Sequence, residues 1–190
     1  MKLRTGLVVV IVGIAAGAVA FWKMHRTETS PGMSMARCVR RGCSVGLQKY
    51  VDCAGTLWIE AWGGSRDFAA SARLLIAQLA PATPLEVLPA DHPLYISENP
   101  RGFALNAPEV RRSSRMQRAN GEGPKPPFAA ATIHQRPAIL LSELDLTSGL
   151  LGTGTWGIDG YTPETSTQLL TNLLLWTHAQ HAPQNAVACP

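Results

Sequence analysis

Charged residues are scarce in this sequence of 190 residues: they make up 16%, against 46% hydrophobic residues. Disordered chains combine high charge with few apolar residues, so this composition excludes a wholly disordered protein. The net charge of +4 is small, and the basic residues are clustered rather than spread over a face large enough for nucleic acid. The length suits one domain with an added N-terminal segment.

The sequence also lacks several motifs that mark metal and nucleotide sites. It has no Cys-x-x-Cys pair, no His-Glu-x-x-His and no Walker pattern, and its histidines lie in unrelated segments. Gly152-Thr153-Gly154 lacks the preceding strand and following helix of a dinucleotide site. Glu143 and Asp145 suit a turn as readily as acid–base chemistry. The sequence therefore predicts no metal, no cofactor and no catalytic residue.

An uncharged run stands out at the N-terminus, within MKLRTGLVVVIVGIAAGAVAFWKMHR. Residues 5–22 are 18 uncharged residues, close to the roughly 20 that a helix needs to cross a bilayer. We therefore expect a transmembrane anchor over residues 1–26. A cleaved signal peptide ending at the small residues 18–20 is the competing interpretation. Gly13 and Gly17 have the spacing of a helix-packing face, which predicts contact with another membrane helix.

The cysteines and the signal-like N-terminus point to the bacterial cell envelope. Disulfides form in oxidising compartments such as the periplasm. Cys38 and Cys43 are close enough in sequence to bridge, and Cys53 and Cys189 can form a second pair. Basic residues on both sides of the apolar run give opposing signals for orientation. We expect a single-pass protein of the inner membrane with its soluble domain in the periplasm.

A polar linker at residues 27–43 precedes a regular pattern of helices and strands. Its periodicity predicts helices that begin at Ser44, Ser65 and Thr162 and strands over residues 55–61, 85–88, 130–133 and 138–141. This alternation indicates an α/β layered domain over residues 44–182. A C-terminal tail follows at residues 183–190.

The stretch LQKYVDCAGTLWIEAWGGSRDFAASARLLIAQLAPATPLEVLPADHPLY resembles a bacterial family called domain of unknown function 4159. The shared features are a helix ending Tyr-Val, a Gly-led strand, a turn ending Gly-Ser and an Asp-His-Pro loop. Downstream, AILLSELDLTSGLL and GYTPETSTQLLTNLLLWTHA are also similar to it, and the second contains Asn172. The resemblance covers residues 44–180. It implies a fold similar to the flavodoxin-like, class I glutamine amidotransferase-like domains, with no established activity.

Two departures from the family pattern bear on function. Members usually have further strands and helices before the Tyr-Val helix, whereas here only the linker precedes it, which is too short for a βαβ unit of about 30 residues. We therefore expect a truncated sheet with an edge or face that another chain covers. At the turn after the 55–61 strand, where relatives often have a Cys, this chain has Trp62. Acyl transfer cannot begin without a nucleophile.

The adjacent acid and imidazole of Asp91-His92 are interpreted as part of a structural loop. Catalysis by such a pair needs a third group and a bound substrate within reach, and the sequence identifies neither. Pro93 restricts His92 to extended backbone, and an Asp before it suits a turn. Glu60, Asp91 and His92 are the residues of an enzymatic alternative.

The insertion at residues 101–127 is basic. Its arginines include Arg111, Arg112, Arg115 and Arg118, which fall within a segment compatible with a short helix over residues 108–119. The segment is interpreted either as a solvated loop or as a surface that docks on acidic protein or anionic headgroups. The lack of interleaved aromatic residues argues against nucleic acid.

These observations favour a non-enzymatic accessory subunit, anchored by one membrane helix in a larger bacterial complex such as a respiratory or photosynthetic assembly. Its partners would be other membrane-protein subunits and the lipid bilayer. Two alternatives stay open: a cell-envelope hydrolase or transferase with an unrecognised site, and a periplasmic module that binds a small ligand.

Overall fold

The structure is a computed structural model, and it describes residues 13–15, 18–20, 44–105, 110–111, 128–152 and 158–180. Its elements in chain order are β1 (Gly13–Ala15), β2 (Ala18–Ala20), α1 (Ser44–Asp52), β3 (Leu57–Glu60), a 3-10 turn (Trp62–Gly64), α2 (Arg66–Leu79), β4 (Glu86–Val87), β5 (Val110–Arg111), β6 (Phe128–Ile133), β7 (Arg136–Ser142), α3 (Thr147–Leu150), β8 (Gly160–Tyr161) and α4 (Pro163–Gln180).

A four-stranded sheet in the order β3-β7-β6-β4 forms the centre of the domain. Strands β3 and β7 are parallel, whereas β6 pairs antiparallel with both β7 and β4. Strands β5 and β8 form a separate antiparallel pair. The described part of the chain is thus a mixed α/β domain with a small sheet. Only one of the three neighbouring pairs in this sheet is parallel, so the expected flavodoxin-like sheet is not confirmed.

The side chains of β3 alternate between two apolar layers, as the pleat of a strand requires. Leu57 and Ile59 pack on the layer of α2, whose buried residues are Phe68, Ala69, Ala72, Leu75, Ile76 and Leu79. Trp58 lies in the opposite layer, with Leu140 of β7 and with residues of β8 and α4. Glu60, two residues beyond Trp58, projects on the same side as Trp58.

A two-residue turn at His134 and Gln135 joins β6 to β7, with φ of 51° and 62°. Two left-handed central residues give a turn whose twist matches the flanking strands. The first residue of β7, Arg136, then donates from its guanidinium to the carbonyl oxygens of Val51 and Gly55, at 3.2 and 2.8 Å. The hairpin therefore ties the end of α1 to the start of β3.

The predicted helix starts are confirmed for α2 and α4. The Ser65 hydroxyl caps α2 by accepting a hydrogen bond from the Phe68 N–H at 3.4 Å. Thr162 caps α4 and Pro163 is its first residue, the position at which a missing N–H costs nothing.

The predicted transmembrane helix is wrong. No helix in the described ranges combines the length and the apolar character that crossing a bilayer requires. The described residues of the N-terminal run form β1 and β2 instead, with Gly13 opposite Ala20 in antiparallel register. Valine and isoleucine favour extended backbone, and glycine weakens helices. The hydropathy of a segment does not take these backbone preferences into account. Gly13 is therefore a strand residue rather than part of a helix-packing face, and Gly17 lies outside the described residues.

The basic insertion and the cysteines lie mostly outside the described residues. Arg111 is in strand β5, opposite Gly160, so the expected helix over residues 108–119 is wrong at that point. The other docking arginines, Arg112, Arg115 and Arg118, are not described, and their role stays a prediction. Cys53 is disulfide-bonded. Cys38, Cys43 and Cys189 are not described, so the pairing of Cys38 with Cys43 also stays a prediction.

Candidate functional site

Two carboxyl groups lie buried where the parallel strands β3 and β7 end. Glu60 is the last residue of β3, opposite Ser142 at the end of β7, and Asp145 follows three residues later. The exposed fractions of Glu60 and Asp145 are 1% and 0%. In open α/β sheets, ligands bind at the carboxyl ends of parallel strands. We therefore take Glu60 and Asp145, the carboxylate pair, as the centre of the candidate site.

Asp145 joins two segments through hydrogen bonds to its side chain. Its Oδ2 accepts from the Gly63 N–H at 2.5 Å and from the Ser148 hydroxyl at 2.9 Å, and its Oδ1 accepts from the Ser148 N–H at 2.7 Å. An ionised carboxylate with several N–H and O–H donors is well compensated for its burial. Asp145 thus links the turn after β3 to the first turn of α3.

The backbone near Asp145 is packed too closely for a side chain at Gly64. The Asp145 N–H donates to the Asp159 carbonyl at 3.0 Å, and the Asp159 N–H donates to the Gly63 carbonyl at 3.1 Å. Gly64 has a φ of 69°, and a Cβ there would lie 2.5 Å from the carbonyl oxygen of Asp159. Glycine is therefore required at residue 64 both by backbone conformation and by space.

Glu60 is less well compensated than Asp145. Its Oε1 accepts from the Thr147 N–H at 3.2 Å, while its Oε2 is buried without a hydrogen-bond partner in the structure as described. The pKa of Glu60 is raised to about 7, mainly by burial and also by the nearby Asp145, while hydrogen bonds from Thr147 and Leu146 oppose the increase. At neutral pH Glu60 is consequently present in both its protonated and its ionised form.

Other polar atoms on the Glu60 side of the sheet are also buried without partners. Within the described ranges these atoms are Trp58 Nε1, Glu60 Oε2, Tyr161 Oη and Ser166 Oγ. Burial also raises the pKa of the Tyr161 phenol, so it is neutral at physiological pH. Buried polar groups are normally satisfied by protein or ordered water. These atoms therefore mark a polar centre within the apolar layer on the Trp58 side of the sheet.

The turn after β3 has the strand–turn–helix outline of a nucleophile turn but lacks a nucleophile. Its two left-handed residues are Gly63 and Gly64, with φ of 67° and 69°. The preceding Trp62 is 36% exposed and offers no reactive atom. The Gly63 N–H, of the kind that binds an oxyanion in acyl transfer, is already bonded to Asp145.

Asp91 and His92 are not among the groups that change the pKa of Glu60. The His92 Nδ1 accepts from the Leu94 N–H at 3.1 Å, and its ring meets those of Tyr95 and Trp176 edge-on. Burial lowers the pKa of His92, and Asp91 opposes that change. Because its Nδ1 is occupied and its ring is packed on aromatic side chains, His92 stabilises the loop in which it lies.

Asn172 is a structural residue whose role sequence reasoning missed, although the residue was part of the family resemblance. It is 1% exposed, and its Oδ1 accepts from the Phe103 N–H at 2.8 Å. Its Nδ2 donates to the Phe103 carbonyl at 2.8 Å and to the Tyr95 carbonyl at 3.4 Å. An Asn within the leucine-rich run of residues 169–174 was the available sequence signal. Asn172 clamps the 95–103 segment onto α4.

Two glycine motifs were also overlooked. Residues 42–46 read Gly-x-Ser-x-Gly around Ser44, the first residue of α1, but residues 41–43 lie outside the described residues. Residues 152–157 read Gly-x-Gly-x-x-Gly. The element before them is helix α3 and the element after them is strand β8, the reverse of the strand and helix that a dinucleotide site needs. Only the first of the two motifs has a helix in the expected place.

The layered sheet and its buried carboxylate pair define a mixed α/β domain with a polar centre at the end of one parallel strand pair. The chain belongs to the family described as Domain of unknown function (DUF4159), whose model matches residues 20–177. This match confirms the family that the sequence resemblance indicated. No curated protein and no solved structure shows a significant match to the chain.

Proposed function

We propose that this protein is a non-enzymatic accessory subunit that docks on another protein in a larger complex of the bacterial cell envelope. The turn after β3 carries the proposal. Its left-handed positions are glycines, and Asp145 occupies the Gly63 N–H that a reaction intermediate would need. The turn is thus used to hold the domain together, which favours a structural role. The disulfide of Cys53 supports an oxidising compartment such as the periplasm.

The proposed docking face is the side of the domain formed by α1 and α2. Val45 on α1 is 71% exposed and Leu74 on α2 is 67% exposed, and the two helices pack against each other. Large exposed apolar side chains on neighbouring elements are typical of protein interfaces. The partner is therefore expected to present an apolar surface, and the basic insertion would add salt-sensitive steering.

The test compares complexes formed by the full chain in its own bacterium. A tagged wild-type chain should elute with an assembly larger than itself on size exclusion. Val45→Glu should shift the chain to the monomer position, because a charge on the docking face costs several kcal/mol of binding. Val87→Glu is the matched control, since Val87 is 61% exposed on the edge strand β4. A monomeric wild-type chain, or equal behaviour of both variants, would contradict the proposal.

The hydrolase alternative is favoured by the motif around Ser44, and it has its own test. A fluorophosphonate reagent labels serines activated by a neighbouring base. The accessory-subunit proposal expects equal, background labelling of the wild-type chain and Ser44→Ala. Labelling that is lost in Ser44→Ala, with the fold intact, would establish a reactive serine and support the enzyme instead.

The ligand-binding alternative is favoured by the partnerless polar atoms near Glu60. Native mass spectrometry of the purified chain distinguishes the two roles. A small molecule retained by the wild-type chain and lost in Glu60→Gln would support a binding module. A mass equal to that of the polypeptide alone is the expected result for a docking subunit.

A further inference from the structure

Strand β3 lies at an edge of the central sheet, where its only neighbour is β7. The N–H of Ala61, the residue directly after β3, donates to the Ser142 carbonyl of β7 at 2.9 Å. Successive residues of a strand direct their N–H and C=O groups to opposite sides, so Ile59 also bonds toward β7. The backbone groups of Trp58 and Glu60 therefore point to the outer edge of the sheet.

The outer edge of β3 is shielded from water and yet lacks hydrogen bonds. Trp58 and Glu60 are only 4% and 1% exposed, and no residue of the described ranges bonds to their backbone N–H or C=O groups. Two residues before Trp58, by contrast, the Thr56 carbonyl accepts from the Tyr50 hydroxyl at 3.4 Å. Buried backbone groups in proteins are nearly always paired. This edge therefore requires a further strand.

Helix α1 indicates where in the chain that strand lies. α1 ends at Asp52 and leads into β3, which begins at Leu57. Its buried Val51 belongs to the same apolar layer as α2, so α1 lies on that face of the sheet. A helix in this position is the crossover of a βαβ unit when a parallel strand precedes it. Because β7 occupies the inner edge of β3, the preceding strand would pair on the outer edge.

The strands before α1 are β1 and β2, which within the described ranges pair only with each other. Their sequences are Gly-Ile-Ala and Ala-Val-Ala, a composition typical of strands that are covered on both faces. A two-stranded hairpin is only marginally stable by itself. From β2 through α1 to the end of β3 the chain covers residues 18–60, which exceeds the roughly 30 residues of a βαβ unit.

We propose that β2 pairs in parallel with the outer edge of β3, with α1 as the crossover helix and β1 as the next strand outward. The sheet then has six strands, in the order β1-β2-β3-β7-β6-β4. The outward backbone groups of Trp58 and Glu60 gain partners in the backbone of β2, and the hairpin gains a sheet to extend. The N-terminal strands of this chain thus replace a second chain at this edge, and the pairing does not depend on the proposed function.

The test is NMR of the full chain, with two readouts. In the wild type, NOEs should join the backbone protons of residues 18–20 to those of residues 57–60, and the amides of Trp58 and Glu60 should be protected from hydrogen exchange. Val19→Pro removes a backbone donor from the middle of β2 and should displace the strand. It should lower the protection factors of Trp58 and Glu60 at least about tenfold, while that of Ile59, which bonds to β7, changes less than about threefold.

Ala90→Pro is the matched control. Ala90 is the second residue of a turn in which the His92 N–H donates to the Pro89 carbonyl, and proline is favoured at that position. This variant should leave the protection of all three amides as in the wild type.

Two results would overturn the proposal. Absence of the NOEs in the wild type, together with unprotected Trp58 and Glu60 amides, would show an open edge. Protection of these two amides that persists in Val19→Pro would show that another segment pairs with β3. If Val19→Pro lowers the protection of Ile59 equally, the variant unfolds as a whole, and the NOEs of the wild type alone decide.

Discussion

Replacing Asn172 by alanine should destabilise the domain by about 3 kcal/mol. The amide of Asn172 makes two short hydrogen bonds to the Phe103 backbone and a longer one to the Tyr95 carbonyl. Alanine would remove all three while keeping the helix, since its helix propensity is the highest of all residues. The loss would therefore fall on the contact between α4 and the 95–103 segment.

The magnitude follows from the groups left without partners. A buried N–H or C=O that loses its partner costs about 1–3 kcal/mol. The Phe103 N–H would be orphaned, whereas the Phe103 carbonyl keeps a weak bond at 3.4 Å from the Ser97 N–H. The side chain of Phe103 is 39% exposed, so some water can reach the segment. About 2 kcal/mol for the orphaned N–H and about 1 kcal/mol for the partly bonded carbonyl together give about 3 kcal/mol.

Urea unfolding of the full chain is the assay. With a slope of about 2 kcal/mol per M, a loss of about 3 kcal/mol lowers the midpoint by about 1.5 M. Thr171→Ala is the control, because it removes an exposed hydroxyl one residue away that bonds only within the helix, and it should cost less than about 0.5 kcal/mol. If Asn172→Ala and Thr171→Ala differ by less than about 1 kcal/mol, the clamp is not a significant source of stability.

The substitution Asn172→Asp separates the contribution of the amide oxygen of Asn172 from that of its amide nitrogen. It keeps an acceptor for the Phe103 N–H but places a carboxyl oxygen against the Phe103 carbonyl, which raises the pKa of the new carboxyl. The variant should be less destabilised at acidic than at neutral pH, since the protonated form can donate in place of Nδ2. Equal destabilisation at both pH values would show that the Nδ2 bond is unimportant.

Three further predictions concern the rest of the domain. The free energy of unfolding should fall by about 3 kcal/mol between pH 4.5 and pH 7, because the pKa of Glu60 rises from 4.5 to about 7 on folding. Glu60 therefore contributes most to stability below its unfolded pKa. In urea unfolding, Glu60→Gln should lack this pH-dependent fall. Gly64→Ala should cost more than Gly63→Ala, which meets nothing within 4 Å and carries only the left-handed strain of about 1 kcal/mol; equal midpoints in thermal unfolding would contradict the close approach of Asp159. Arg136→Lys should destabilise the domain by about 2 kcal/mol, because lysine keeps the charge but lacks the forked guanidinium that bonds Thr56, Val51 and Gly55. Arg73→Lys is the control: Arg73 is in an exposed ion pair, and its replacement should change stability by less than about 0.5 kcal/mol.

Local interactions made parts of this fold predictable. The apolar stripe of α2 and its serine cap depend on residues three and four apart, and the same holds for Thr162 and Pro163 at the start of α4. The family was recognisable because the order of turns, caps and strands can be read directly along the sequence. The N-terminal run shows the limit of such reasoning, since the hydropathy of residues 5–22 is the same in a helix and in a strand.

The sequence by itself determined which segments are apolar, where α2 and α4 begin and that Trp62 stands where a nucleophile would be expected. Only the tertiary structure decided which polar groups meet. Asp145 binds Gly63 across 82 residues and Asn172 binds Phe103 across 69, and no local pattern encodes such a distance along the chain. The high pKa of Glu60 likewise arises from its burial at the end of β3, beside Asp145. The periodicity of a segment predicts which of its side chains share a face. The hydrogen-bond partners and the desolvation of a side chain depend instead on the other segments that pack around it.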